Sequence, residues 1–334
     1  MTSSADMMEL IVGSWAARAV HTAVELGLPE RLAPGPVGPA PLAEATGTAE
    51  PALRRLLDYL TALGVCKGDA DSGYALGELG TVLLADSPGS VRDYALLAGT
   101  EFYPVWGRLT DAVRTGEPVF EQVFGEPLYS YLDTHDEAAR RFGAAMNSGT
   151  VVFEQVPAVY DFSRAGRIVD VAGGNGELLA TILAAVPGPA GLLYENPSAT
   201  AEAEARLRER GLAERCDVVG GDMFASVPAG GDVYLLSRVL VNHDDDEAAA
   251  LLSRCAQAMA PGAELLLVER PQAEGAPNRT AAAIDLLMML VTSGGRSRTV
   301  ERMRALLRTA GLEPGAVREL PRGFALLAAG KPGV

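Results

Sequence analysis

Positive charge is scarce in this chain, and lysine nearly absent. Among 334 residues only Lys67 and Lys331 are lysines, and 28 basic residues face 43 acids, for a net charge of −15. So acidic a chain repels a phosphate backbone, and nucleic acid is not expected as a partner. The preference for arginine is read as compositional bias without mechanistic content. Cysteine is scarce too. Cys66, Cys216 and Cys255 are odd in number, scattered and without metal-ligand spacing, so reduced thiols in a cytoplasmic protein are expected and no metal site. No apolar run reaches the roughly 18 residues that cross a bilayer, which excludes a helical membrane span. The first residues carry Asp6 and Glu9 and lack a basic flank, so no signal peptide is expected there. Internal repeats and low-complexity tracts are absent.

What is present is ample apolar content, 48% of residues, in a length that suits two domains. The most informative segment is Ile168-Val169-Asp170-Val171-Ala172-Gly173-Gly174-Asn175-Gly176. A β-branched run ends in an acid and then in glycines, and helical periodicity follows over 177–186. This strand, glycine turn and helix bring bare backbone amides close to a ligand. Nineteen residues past Gly176, after Gly191-Leu192-Leu193-Tyr194, stands Glu195, with Asn196 beside it. An acid at the end of a second strand can take both hydroxyls of a ribose. Dinucleotide folds need G-x-G-x-x-G to seat a pyrophosphate, but Leu178 and Leu179 fall where a third glycine would stand. Asp170 would repel phosphate. A nucleoside ligand without phosphates fits, and S-adenosylmethionine is one: an adenosine, a sulfonium and an amino-acid zwitterion.

Upstream, 7–27 reads as an amphipathic helix with Leu10, Ile11, Ala17, Val20, Val24 and Leu26 on one face. Pro34, Pro36, Pro39 and Pro41 are expected to break the chain. Thr48-Ala49-Glu50-Pro51 is expected to cap a second helix over 52–63, and 65–67 with 74–76 read as a hairpin. Helix, helix and hairpin make a winged-helix pattern. DNA binding is the alternative use of that pattern, but the second helix carries only Arg54 and Arg55 and the wing is acidic, which favours a structural or dimerising role. Helices rich in aromatics run from about 91 to 160. From 166 onward strands alternate with helices, the pattern of a mostly parallel, doubly wound sheet with its ligand at the carboxyl ends of the strands.

The whole chain resembles the small-molecule O-methyltransferases of plants and bacteria, which join a winged-helix dimerisation domain to a Rossmann-like domain. The matching landmarks are 170–176, Glu195, Gly221-Asp222-Met223-Phe224, Leu236-Ser237-Arg238-Val239-Leu240, Ala260-Pro261-Gly262 and Gly294-Gly295-Arg296-Ser297-Arg298-Thr299. The resemblance implies an α/β fold: a Rossmann-like class I methyltransferase domain over 163–334, preceded by an α-helical winged-helix dimerisation domain over 1–95, with pocket helices over 96–162. It implies a homodimer and S-adenosylmethionine as cofactor, leaving as S-adenosylhomocysteine. Asp170, Gly173, Gly174, Gly176, Glu195 and Asn196 would hold that cofactor, Asp222 and Met223 would frame its adenine, and Ser237 or Arg238 would face its methionine end.

One departure matters more than the matches. The family's O-methylating members carry a general base in a Leu-His-Asp-Trp stretch; the counterpart here is Leu240-Val241-Asn242-His243, with Val241 in the histidine's place. Ser297 replaces the glutamate that supports that histidine. His243 is therefore expected to be a bystander unless a bulge returns it, and Asn242 either binds substrate or caps the next helix. Candidate pocket residues are Phe102, Tyr103, Trp106, Met146, Asn147, Phe153, Asp285, Met288 and Met289, although Met and Phe at helical spacing also serve cores. The closest texture is that of bacterial phenazine N-methyltransferases, around 124–132 and 231–238. The expected function is methyl transfer to a planar aromatic or heteroaromatic secondary metabolite, as in antibiotic biosynthesis, at ring nitrogen or an acidic oxygen and mainly by proximity. The alternative is a tailoring enzyme of this fold that keeps the cofactor but hydroxylates, decarboxylates or cyclises, as some anthracycline-tailoring relatives do.

Overall fold

A computed structural model describes residues 3–147, 151–273, 275 and 279–333. The chain divides into two compact units, one of residues 1–104 with 135–149 and one of 105–134 with 150–334.

The first unit opens with the helix Ser4–Glu25. A capping box starts it: Ser3 Oγ accepts from Asp6 N at 3.2 Å, and Asp6 Oδ2 accepts from Ser3 N at 3.0 Å. Its second half buries Ala19, His21, Ala23 and Val24, whereas Met7, Met8, Leu10, Ile11 and Trp15 stand exposed, Trp15 by 63%. The proline-rich stretch does not simply break the chain. A short helix Leu28–Leu32 precedes it, and Pro39 and Pro41 lie in the first turn of the helix Pro39–Thr46, where the missing N–H groups have no intrahelical acceptor in any case. The helix Glu50–Ala62 follows and buries Leu53, Leu57 and Leu60; its N-cap is Ala49, and Thr48 instead bonds Thr46 Oγ1 at 2.8 Å. Strands β1 (Cys66–Asp69) and β2 (Gly73–Leu76) close the wing, with Asp69 Oδ1 accepting from Ser72 N at the tip at 2.8 Å. Farther along, the helix Arg92–Leu97 runs into a π-turn over Ala98–Phe102. That turn buries Glu101 completely, and Arg141 grips it at 2.8 Å. A charge held so deeply depends on its partner, since unpaired burial costs several kcal/mol.

The second unit is a seven-stranded sheet: β3 (Arg167–Val171), β4 (Ala190–Glu195), β5 (Cys216–Gly220), β6 (Val233–Ser237), β7 (Glu264–Glu269), β8 (Glu313–Glu319) and β9 (Ala325–Gly330). Their order is β5-β4-β3-β6-β7-β9-β8, and β9 alone runs against the direction of the other strands. Strands buried on both faces need apolar residues at successive positions. Ile168, Leu193, Leu235 and Leu266 pack on one face, under the helices Val151–Val159, Glu177–Ala185 and Thr200–Glu209. Val169, Val171, Leu192, Tyr234 and Leu265 pack on the other, under Asp245–Ala258 and Val300–Thr309. Lys331 caps the carboxyl end of Asp245–Ala258, donating to Ala256 O at 2.7 Å and Met259 O at 2.6 Å. The chain reverses direction across the sheet between β3 and β6. That switch point opens a crevice at the carboxyl ends of the strands. Among the described residues no helix is long and apolar enough to cross a membrane.

The exposed band on the first helix is too apolar to stay wet. The double variant Leu10→Asp, Trp15→Asp is expected to sediment as a monomer at micromolar concentration where the parent sediments as a dimer. Identical sedimentation would remove this helix from the interface.

Candidate active site

The crevice is built from level strand ends. Val171 pairs with Tyr194, and Glu195 with Gly220, so the last residues of three strands reach one height. Past Val171 the chain turns sharply: Ala172 takes a left-handed φ of 54° and Gly174 one of 60°. A side chain at Gly173 would collide with the Asp170 carboxyl and Leu193, whereas the space over Gly174 is open. Gly174 N donates to Glu195 Oε2 at 2.7 Å and Asn196 N to Glu195 Oε1 at 2.7 Å, so one carboxylate ties the glycine loop to the end of β4. Gly176 N-caps the helix Glu177–Ala185.

Beneath the loop lies Asp170, fully buried, with neither carboxylate oxygen hydrogen-bonded. Burial, then the Glu195 carboxylate, push it up to about 8, against the pull of Arg238. Ser237 Oγ at the end of β6 is also buried without a partner. Orphaned polar groups at a crevice await donors and acceptors from a ligand. On the far side Gly221 N donates to Glu195 O at 2.9 Å and Tyr194 Oη to Asp222 O at 3.2 Å, which sets Asp222 beside the end of β4. Asp222 Oδ1 accepts from Phe224 N at 2.8 Å.

Past β6, Arg238 takes a φ of 58° and lays its guanidinium 4.9 Å above the Phe153 ring. The two polar residues weighed for the reaction end, Asn242 and His243, both have partners within the protein. Asn242 neither caps the following helix nor points outward; its Nδ2 donates to Arg238 O at 3.1 Å, and Asp244 is the N-cap. His243 Nδ1 lies 3.1 Å from Glu247 Oε2, and its ring meets Phe224 edge-on at 5.0 Å. Val241 and Ser297 do converge, lining one pocket with Glu269, Arg270, Arg296 and Arg298. Glu269 accepts from Leu240 N at 3.0 Å; burial pushes it up to about 7, although that N–H and the charges of Arg298 and Arg238 oppose the rise. Buried Arg298 clamps the turn, donating to Leu240 O at 2.5 Å, to His243 O at 2.7 Å and to Asp245 Oδ1 at 2.7 Å.

The candidate pocket residues scatter in burial. In the first unit Phe102 is buried, Tyr103 is exposed under the Arg18 guanidinium at 4.8 Å, and Met146 is half-buried. Asn147 ends the helix Asp136–Asn147, and its side chain lies outside the described residues. In the second unit Phe153 belongs to the core, Trp106 is half-buried, and Met288 and Met289 are half-buried on the helix Arg279–Val291. Asp285 of that helix accepts from Ser297 N at 2.6 Å, which ties it to the pocket of Val241 and Glu269. Sequence reasoning passed over Glu269, although it too is an acid closing an apolar strand, as Asp170 and Glu195 are.

The O-methyltransferase domain family model matches residues 106–313. The chain belongs to the O-methyltransferase family. That family's dimerisation domain matches residues 8–86, and the protein is accordingly a homodimer. A 3-amino-4-hydroxybenzoate 4-O-methyltransferase of Streptomyces cremeus is 40% identical, over 98% of this chain and 90% of its own. A phenazine-1-carboxylate N-methyltransferase of Pseudomonas aeruginosa is 33% identical, over 99% of this chain and 98% of its own. Human N-acetylserotonin methyltransferase, solved in complex with S-adenosylmethionine, superposes with a TM-score of 0.90 at 25% identity over the whole of both chains.

Two predictions arise from this methyltransferase's crevice. With Asp170 raised to about 8, the folded chain retains between pH ~4 and pH ~8 a proton that the unfolded chain has lost. Stability of the ligand-free protein therefore falls as pH rises through that window, and Asp170→Asn should flatten the fall. Parallel melting curves for parent and variant from pH 6 to 8.5 would contradict the assignment. Glu195→Gln keeps the side chain's size but removes its charge and one of its two acceptor oxygens. It should weaken S-adenosylhomocysteine binding in calorimetry about tenfold or more, two hydrogen bonds to a charged group being at stake. Unchanged affinity would displace Glu195 from the ribose site.

Proposed function

We propose that this methyltransferase acts in the cytoplasm on a planar aromatic or heteroaromatic substrate, at a ring nitrogen or an already ionised oxygen. Proximity does most of the catalytic work. The reading rests on one observation: the positions that would carry a histidine base and its supporting acid, Val241 and Ser297, line one pocket. Neither side chain can take a proton from a hydroxyl at neutral pH. The nearby imidazole, His243, is engaged with Glu247, and Glu269 holds the Leu240 amide.

S-adenosylmethionine is the methyl donor of this family, supplying a sulfonium whose methyl group is open to in-line displacement. The chain's residues fit it. Asp170 and Ser237 present buried polar oxygens without partners at the level where the amino-acid end would lie. Glu195 would accept from the ribose hydroxyls, Asp222 and Met223 would frame the base, and bare Gly173 and Gly174 admit the ligand to the backbone. Arg238, turned over Phe153, would balance the ligand's carboxylate.

The nucleophile must then present a free lone pair. A phenol of pKa near ~10 is almost wholly protonated at pH 7, whereas a heteroaromatic nitrogen needs no base. Holding nucleophile and methyl in line can lower the barrier by about 7–11 kcal/mol. The relatives named for 3-amino-4-hydroxybenzoate and phenazine-1-carboxylate support an aromatic substrate with an acidic substituent. Three buried, separate thiols support a reducing compartment.

The test is incubation with methyl-labelled S-adenosylmethionine and a panel of phenazines, quinones and phenols. Label should pass to ring nitrogens and acidic hydroxyls. Cofactor binding with no label transferred to any of them would favour another reaction on this fold. In the same assay His243→Ala should keep turnover within a few-fold and reproduce the parent's pH profile. A working general base costs about 10²–10⁴-fold when removed. A hundredfold loss with cofactor binding intact would restore a base-assisted mechanism.

A further inference from the structure

The helix Leu128–Thr134 of the second unit contains a tyrosine that no step above uses. The helix Leu128–Thr134 is anchored on one side by aromatic packing: Tyr131 meets Phe124 at 5.0 Å and Phe120 at 5.7 Å between ring centroids, and those two phenylalanines stack at 4.6 Å. Leu128 is buried as well. The opposite side is tied to the loop after β4. Ser198 Oγ donates to Asp133 Oδ1 at 2.8 Å, and Ser198 N donates to Asn196 Oδ1 at 3.1 Å, one residue past the ribose acid. Residues four apart share a helix face, so Tyr129 lies on the face that Asp133 presents to this loop, away from Tyr131.

The charge distribution agrees with this placement. Crowding by neighbouring chain, first, and the Glu195 carboxylate, second, push the Tyr129 phenol above its ordinary range. The hydroxyl thus lies within the field of that acid, while 45% of the side-chain-bearing residue stays open to solvent. A tyrosine offers an apolar ring and a polar tip, which suits the edge of a sugar that carries two hydroxyls.

We propose that Tyr129 is a cofactor-binding residue, and that the helix Leu128–Thr134, moored by Asp133 to Ser198, forms a roof over the ribose held by Glu195. This rests on the assignment of Glu195 to the ribose of S-adenosylmethionine. The ring covers the sugar, and the hydroxyl shares a hydrogen bond with the ribose diol that Glu195 accepts from below. The ribose is then gripped from two elements far apart in sequence.

The test is calorimetric titration of the homodimer with S-adenosylhomocysteine and with its 2′,3′-dideoxy analogue. Tyr129→Phe should weaken S-adenosylhomocysteine about three- to tenfold, the worth of one hydrogen bond, and leave the analogue unaffected. Tyr129→Ala should weaken both ligands by about tenfold or more, since the ring is lost. Asp133→Ala should raise the dissociation rate without touching the ligand. A purely architectural tyrosine would lower affinity for both ligands equally in Tyr129→Phe, and that result overturns the proposal. So does wild-type affinity in Tyr129→Ala; if Glu195→Gln has lost affinity in the same titrations, the ribose assignment stands without the roof. Should the parent bind neither ligand, both fall together.

Discussion

One carboxylate organises the site. Glu195 closes β4 and takes the amides of Gly174 and Asn196, each at 2.7 Å, joining the glycine loop of β3 to the loop that continues from β4. That tie acts beside the Ala172 N to Tyr194 O bond at 2.8 Å in holding a loop whose left-handed Ala172 is strained. The tie also fixes the depth of Asp170. With Gly173 lying directly on it, the buried acid loses water and finds no partner in the protein. Burial holds its carboxyl well above the usual carboxylate range.

A second device holds the reaction end. The carbonyls of the turn 240–243 at Leu240 and His243 are collected by Arg298, and Glu269 takes the Leu240 amide. Asp245 completes the clamp by pairing with both Arg298 and Arg302. Val241 stands on this clamped turn and lines one pocket with Ser297 and Glu269.

Much of this was legible along the chain. The acid-glycine run at 170–176, the acid nineteen residues on and the alternation of strands and helices led to the sheet, its ligand crevice and the family. The departures at Val241 and Ser297 were equally visible, because both stand close to well-marked motifs. Other features were not. Pro39 and Pro41 looked like breakers and instead start a helix, since proline's missing donor is harmless in a first turn. Phe153 could be pocket wall or core by its spacing, and it packs in the core with the Arg238 guanidinium 4.9 Å above its ring. Helical spacing alone does not say which face a neighbour covers.

The sequence by itself determined the order of the elements, the kind of ligand and the absent histidine, because each of these is local: a periodicity, a glycine spacing, a residue at a motif position. Only the tertiary structure decided how the chemically marked residues are employed. Asn242 turns back to its own strand end, His243 pairs with Glu247, and Glu269 holds the turn that follows the neighbouring strand. Those assignments depend on which partners packing brings within about 3 Å, the range over which hydrogen bonds act. No spacing along a chain encodes a distance across a sheet.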